Sequence, residues 1–222
     1  MKALLVSDVE SRALWDFYRP ERVEGVDVII SCGDLKKEYL EFLVTMINKP
    51  VLYVPGNHDA RYASDPPGGC ENLDDAVYVF RGVRFLGLGG CKKYNSESPF
   101  QFTEEEMARR IRRVRRQIRK AGGVDVVVTH AAPTGCGDKA DIAHRGFDCF
   151  LDLLDRWRPA FFLHGHVHMN YDPGVPRIME YGDTRIVNAF ERFVLEIPDP
   201  ASPPAREGYV SRRKGRERDG WR

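Results

Sequence analysis

The sequence predicts an α/β fold built on a parallel sheet, and three observations predict it. The first third alternates short apolar runs with helix-spaced segments, in the order strand, helix, strand, helix, strand. Five apolar runs, spread over the chain, end in side chains able to bind a metal. The last third turns β-rich, its apolar runs separated by pairs such as Gly182-Asp183 and Glu191-Arg192. The 222 residues, 42% of them hydrophobic, suffice for one sizeable core and a single main domain.

In chain order, Ala3 to Ser7 reads as a central strand ending in Asp8-Val9-Glu10, with a helix expected from Ser11 to Tyr18. Val26 to Ile30 is a second buried strand, ending in Ser31-Cys32-Gly33-Asp34. Lys36 to Ile47 carries Tyr39, Leu40, Leu43, Met46 and Ile47 at helical spacing, and Pro50 closes that helix. Val51 to Val54 forms a strand that Pro55-Gly56 turns into Asn57-His58-Asp59. A loop is expected over Ala60 to Ala76, then a hairpin through Arg81-Gly82, then a glycine-rich loop at Gly89 to Asn95. Thr103 to Ala121 is the clearest helix: Thr103 and Glu106 make a capping box, and Met107, Ile111, Val114 and Ile118 form the buried stripe. Its other faces hold a row of arginines from Arg109 to Arg119. A strand at Val124 to Thr129 ends in His130, a helix spans Phe147 to Trp157, and a strand at Ala160 to Leu163 leads into His164-Gly165-His166-Val167-His168. Strands follow at Arg177 to Tyr181, Thr184 to Phe190 and Phe193 to Ile197. The domain is expected over residues 1–197, with a proline- and arginine-rich mobile tail at 198–222.

Composition narrows the function. Thirty-four basic residues against 33 acidic ones leave a net charge of +1, so no global field draws the chain to nucleic acid or anionic lipid. The five cysteines are scattered and contain no Cys-x-x-Cys pair, which argues against a disulfide framework or a cysteine zinc knuckle. Free thiols fit a reducing cytosol, and a cytoplasmic location is expected. The first apolar run breaks too early for a signal peptide, and no run approaches the roughly 20 residues of a membrane span.

The strand ends carry the chemistry. Asp8 with Glu10, Asp34, Asn57 with His58, His130, and His166 with His168 each follow an apolar run. Parallel strands bring their C-terminal ends to one edge of a sheet, so residues distant in sequence converge there. The ligands are oxygen and imidazole nitrogen, a set that suits manganese, iron, zinc or magnesium. His166 and His168 would face opposite ways in a flat strand, but in a loop after Gly165 both can point inward.

The order Asp8-x-Glu10, Gly33-Asp34, Gly56-Asn57-His58-Asp59, His130, Gly165-His166-Val167-His168 resembles the calcineurin-like metallophosphoesterase family over residues 1 to about 197. The resemblance implies a four-layer α/β/β/α sandwich, two mixed sheets flanked by helices, with a two-metal centre between the sheets. It implies that Asp8, Asp34 and His168 hold a first divalent metal, with Glu10 at the position where the family has histidine. Asp34 would bridge to a second metal held also by Asn57, His130 and His166, with manganese or iron favoured over zinc or magnesium. Hydrolysis of a phosphomonoester or phosphodiester by a metal-bridging hydroxide would follow. His58 would be catalytic, facing the phosphoryl group or the leaving oxygen. Substrate contacts are expected from Asn57, His58, His144 and Arg145, and the loop with Lys92, Lys93 and Tyr94 could reach the site. Lys37 and Pro55 stand where the family's Ser/Thr phosphatases have an acid and an arginine, which argues against that branch. The alternatives are a non-catalytic interaction scaffold on the same fold, or a nuclease using the arginine-rich helix over residues 103–121.

Overall fold

The computed structural model describes residues 1–95, 98–170, 176–200 and 206–211. The strands are β1 (Lys2–Ser7), β2 (Val28–Ser31), β3 (Val51–Tyr53), β4 (Glu71–Asn72), β5 (Ala76–Phe80), β6 (Val83–Leu88), β7 (Cys91–Lys92), β8 (Gln101–Phe102), β9 (Val126–Thr129), β10 (Phe161–His164), β11 (Ile178–Tyr181), β12 (Thr184–Asn188), β13 (Glu191–Glu196) and β14 (Gly208–Tyr209). The α-helices are α1 (Lys37–Ile47), α2 (Glu104–Ala121) and α3 (Asp148–Trp157).

These strands form two large mixed sheets with parallel centres. One has the order β13-β1-β2-β3-β4 and the other β11-β12-β10-β9-β6-β5-β14. In the first, β1 through β4 are parallel and β13 runs against β1. In the second, β12, β10, β9 and β6 are parallel, while β11 and β5 are antiparallel edges of that block. The period-2 pattern of each strand decides the layering. Ala3, Leu5, Val28, Ile30 and Leu52 of the first sheet share one buried cluster with Phe85, Val126, Val128, Leu163 and Val187 of the second. Leu4, Val6, Ile29 and Tyr53 face the other way, onto Tyr39, Leu40 and Leu43 of α1. Leu86, Val127 and Phe162 face Met107, Ile111, Val114 and Ile118 of α2 and Phe150 and Leu153 of α3. The result is a four-layer α/β/β/α sandwich.

Two segments depart from expectation. Ser11 to Tyr18 forms successive turns instead of a regular helix. Its hydrogen bonds are irregular, Leu14 and Trp15 both reaching the Ser11 carbonyl and Phe17 reaching Arg12. The Arg22 guanidinium takes the carbonyls of Ala13 and Phe17, each at 2.8 Å, so a side chain satisfies acceptors that a continued helix would have used. The second departure is in the stretch expected to be a mobile tail. Gly208–Tyr209 pair with β5 as an edge strand, the Tyr209 ring stands edge-on to Tyr78, and the Glu207 carboxylate accepts from the backbone N–H of Arg81 and Gly82. Residues 201–205 and 212–222 of that stretch lie outside the described residues.

Candidate metal centre

The C-terminal edges of β1, β2, β3, β9 and β10 deliver Asp8, Asp34, Asn57, His130 and His166 to one place. Three of these adopt left-handed backbone: φ is 67° at Asp8, 57° at Asp34 and 66° at His166. Such a conformation costs an L residue roughly 1–3 kcal/mol and persists only where the surroundings enforce it. Two glycines enforce the packing here. A Cβ on Gly165 would overlap Ser7 and the Asp8 carboxylate, and a Cβ on Gly56 would overlap the Asp34 carboxylate. The Gly-Asn-His and Gly-His-x-His blocks thus begin with glycine because the backbone passes against the acids of neighbouring strands.

Asp34, His130 and His166 bring one ligand atom each to within 4.8 Å of one another. His130 Nε2 lies 3.2 Å from Asp34 Oδ2 and 3.0 Å from Asn57 Oδ1. Its Nδ1 lies 2.8 Å from the Cys32 carbonyl, which can only accept, so Nδ1 carries a proton and Nε2 is the nitrogen turned into the cluster. The His166 Nε2 donates in the same way to the Ala143 carbonyl at 2.7 Å, leaving Nδ1 with the lone pair. Asn57 presents its amide oxygen because its Nδ2 donates to the Tyr94 hydroxyl at 3.2 Å. The Asp34 carboxylate and the Asn57 amide oxygen thus accept around His130 Nε2, beside the His166 ring, and once His130 gives up its Nε2 proton a carboxylate, an amide oxygen and two oriented imidazoles form a donor set that fits a divalent cation.

Electrostatics agree. Burial alone would raise the Asp34 carboxyl, but the His130 ring and its hydrogen bond, with the His58 N–H, hold it down at about 2. Burial disfavours protonated His130, yet the Asp34 charge and hydrogen bond, then the Asp8 charge, push it up to about 9. Burial and then the His130 charge press His166 down to about 3, so its ring is neutral at physiological pH. A cation among these groups supplies the positive charge that the His130 proton otherwise provides.

The remaining candidates surround this cluster. Both Asp8 oxygens accept from the His166 backbone N–H, at 2.9 and 3.1 Å, and His168 Nε2 lies 3.8 Å from Asp8 Oδ1. Burial raises the Asp8 carboxyl, with His130 opposing. The Glu10 carboxylate accepts from the Lys36 backbone N–H at 3.1 Å, just before α1, with Lys36 Nζ at 4.0 Å. His58 is exposed. Its backbone N–H donates to Asp34 Oδ1 at 2.8 Å, and it lines a cavity of about 210 Å³ together with Glu10, Asp34, Arg61 and Tyr62.

The family model for calcineurin-like phosphoesterases matches residues 1–170. The chain belongs to this family. A curated relative, uncharacterized protein MJ1162 of Methanocaldococcus jannaschii, is 27% identical over 175 residues, 73% of this chain and 76% of that protein. The crystal structure of TT1561 of Thermus thermophilus superposes with a TM-score of 0.60 at 16% identity, covering 86% of this chain and 89% of that one. Another solved structure gives a TM-score of 0.62 at 17% identity, covering 86% and 90%. At such identities these two structures speak for the fold alone.

The family frame makes the departures of this member clear. Glu10 lies in the same cavity as Asp34 and His58, but its carboxylate is directed to the start of α1, outside the three-residue cluster. Lys92, expected to reach toward substrate, instead bonds the Gly146 carbonyl at 3.0 Å, pairs with Glu104 at 3.0 Å and lies over the Phe147 ring. The N-terminus of α3, which follows the expected contacts His144 and Arg145, meets a protein anion: Glu104 Oε1 accepts from the Cys149 N–H at 2.7 Å. Arg145 is exposed on the loop before α3, and His144 is paired with Asp141 at 2.8 Å, its ring 5.0 Å from that of His166. Lys93 is exposed. No helix among the described residues is long and apolar enough to cross a membrane.

Asp59 has a role that the motif spacing did not disclose. Its Oδ2 accepts from the backbone N–H of both Asp34 and Gly56, each at 2.7 Å, tying the loop after β2 to the loop after β3. Burial, then the Asp34 charge, pushes its carboxyl up to about 6. Its position next to His58 was visible in the sequence, but nothing there pointed to two backbone donors from separate loops. Arg110 is a second such residue. It looked like one of the exposed arginines of α2, yet it is buried against Asp74, Asp75 and the Gly89 carbonyl, and Gly90 in turn donates to the Pro55 carbonyl.

Proposed function

We propose that this protein is a metal-dependent phosphoesterase that hydrolyses a phosphomonoester or phosphodiester at a centre of two divalent ions, manganese or iron before zinc or magnesium. The observation that carries the reading is the convergence of the Asp34 carboxylate, the Asn57 amide oxygen and the oriented rings of His130 and His166, with His58 exposed beside them. Asp34, Asn57, His130 and His166 would hold one ion, and Asp8, Asp34 and His168 the other. When bound, the ions supply Lewis-acid polarisation of the phosphoryl oxygens and an ionised water at neutral pH.

The chain's own residues do the rest. His58 is held by its backbone on Asp34 while its ring stays accessible, so it can stabilise the phosphoryl group and give a proton to the leaving oxygen as the ester P–O bond breaks. The cavity lined by Glu10, Lys36, Arg61 and Tyr62 takes the leaving group. Asp59 keeps Asp34 and His58 in register by joining their loops. His144, beside His166, is the better supported of the two further substrate contacts, and Arg145 on the same loop is the other.

The two ions are unequally held in this reading. The site with Asn57, His130 and His166 is buried and oriented by backbone carbonyls, whereas Glu10 is engaged by α1 and leaves the site at Asp8 and His168 short of a ligand. The test is hydrolysis of an aryl phosphate by protein reconstituted with each of the four metals, with chelation as the control. Activity that chelation abolishes and manganese or iron restores is expected. Absence of hydrolysis of every ester in a broad mono- and diester panel would move the assignment to a non-catalytic scaffold.

A further inference from the structure

The metal centre leaves one edge of the first sheet unused. That edge is β13, which pairs with β1 on one side and, among the described residues, with no strand on the other. The other edges of the two large sheets are shorter: β4 and β14 have two residues each and β11 has four, against six in β13. Proteins blunt an open edge by keeping it short or by placing proline on it. No proline interrupts residues 191–196.

The hydrogen-bond phase of β13 decides what this edge offers. Met1 and Ile197 exchange both of their backbone hydrogen bonds. Bonded and non-bonded pairs alternate along an antiparallel ladder. Lys2–Glu196, Leu4–Val194 and Val6–Arg192 are therefore the non-bonded pairs of β1 and β13. The β1 members turn toward β2, where the Lys2 and Val6 carbonyls accept from the N–H groups of Asp27 and Cys32. Arg192, Val194 and Glu196 turn their N–H and C=O groups outward, and among the described residues no hydrogen bond takes them. All three residues are exposed, Val194 at 41%. Arg192 and Val194 also border a cavity of about 360 Å³ with Leu4, Leu14 and Arg22. Phe17, on the same turns as Leu14, is 57% exposed.

This edge is complementary to itself. When two copies of β13 lie antiparallel about Val194, each Val194 opposes the other, and Arg192 of each copy opposes Glu196 of the other. No other antiparallel register gives all three outward residues an outward partner. Each such pair exchanges two hydrogen bonds, and opposite charges directly across a ladder attract. One guanidinium nitrogen of Arg192 bonds Ser11 Oγ at 2.7 Å, which orients the side chain and leaves its other donors to the copy.

We propose that this chain forms a two-fold dimer through β13, with a second copy of itself as the partner. The two five-stranded sheets then join into one continuous sheet. The outward-facing Val194 side chains meet at the centre, with Phe193 and Leu195 of both copies on the inner face. Antiparallel pairing points the C-terminal strand edges of the copies in opposite directions, so the two metal centres face away from each other.

Sedimentation velocity of the full chain tests the proposal. A species of twice the 25.4 kDa chain mass is expected to grow with protein concentration. Arg192→Glu and Glu196→Arg each make both charge pairs repulsive and should weaken the dimer about tenfold or more. Mixed in equal amounts, the two variants should associate as a heterodimer, because each supplies the charges that the other lacks. That rescue also shows that both variants fold. Val194→Pro removes an outward N–H that serves no bond within the chain, and it should abolish the dimer while the circular dichroism stays that of the wild type. A monomer at every concentration up to about 100 μM, a dimer indifferent to the charge reversals or to Val194→Pro, or a mixture that stays monomeric overturns the proposal.

Discussion

Two halves of one candidate centre are built differently. Asp34, Asn57 and His130 stand at the ends of central strands. The ring nitrogen of His130 that faces away from the cluster is bonded to a backbone carbonyl, as is that of His166 in the loop after β10. In the other half the Asp8 carboxylate is buried and accepts from the His166 backbone N–H, but the carboxylate of Glu10 is turned away from the cluster. His168 is 3.8 Å from Asp8, and Glu10 is drawn to the first backbone donor ahead of α1. The same residue types thus serve different ends according to what their second polar atom meets. A ligand whose far side is bonded is oriented before any ion arrives, and that orientation is worth about 10–100-fold in metal affinity.

The comparison can be broken most decisively at Asp34, which the proposed reading assigns to both halves. Asp34→Asn is expected to lose both ions and bring hydrolysis to background, as read by metal analysis and turnover; retention of either ion at wild-type affinity would show that the halves do not share it. His58→Ala should leave metal content near wild type and lower turnover by about a hundredfold or more, the scale of one acid–base group. Equal metal loss in the Asp34 and His58 variants would make His58 a ligand. Asp59→Ala removes the link between the loops after β2 and β3, and metal affinity of the well-supported half should fall by about tenfold, measured by titration, with Asp59→Asn restoring most of it. The smallest effect belongs to Glu10. Glu10→Ala removes an anion from the start of α1 and should cost about 1 kcal/mol of stability, a shift of roughly 2–4 °C in Tm, without loosening the ion at His130 and His166.

The sequence showed the supported half well, since Asp34, Asn57 and His130 each end an apolar strand and the glycine before the first two marks a close backbone passage. The layers were legible only through the family resemblance, because alternation identifies buried faces but not which faces meet. Other features depend on partners remote in sequence. The turns at Ser11 to Tyr18 have apolar spacing that suits a helix, but Arg22 takes their carbonyls. Lys92 sits in a glycine-rich loop, yet Glu104 and the Gly146 carbonyl claim it. Gly208–Tyr209 join a sheet edge through backbone hydrogen bonds and two aromatic rings, which overall composition hides. Arg110 reads as one more surface cation, and its burial follows from Asp74 and Asp75 in a turn about 35 residues earlier.

The central claim is that the two halves bind metal unequally, and calorimetric titration of the metal-free protein with manganese tests it most directly. Two binding phases are expected: a tighter one that His168→Ala leaves intact and His130→Ala removes, and a weaker one that His168→Ala abolishes. Hydrolysis of an aryl phosphate should rise with the second phase. Two ions of equal affinity, or a tighter phase lost in His168→Ala and retained in His130→Ala, would contradict the account.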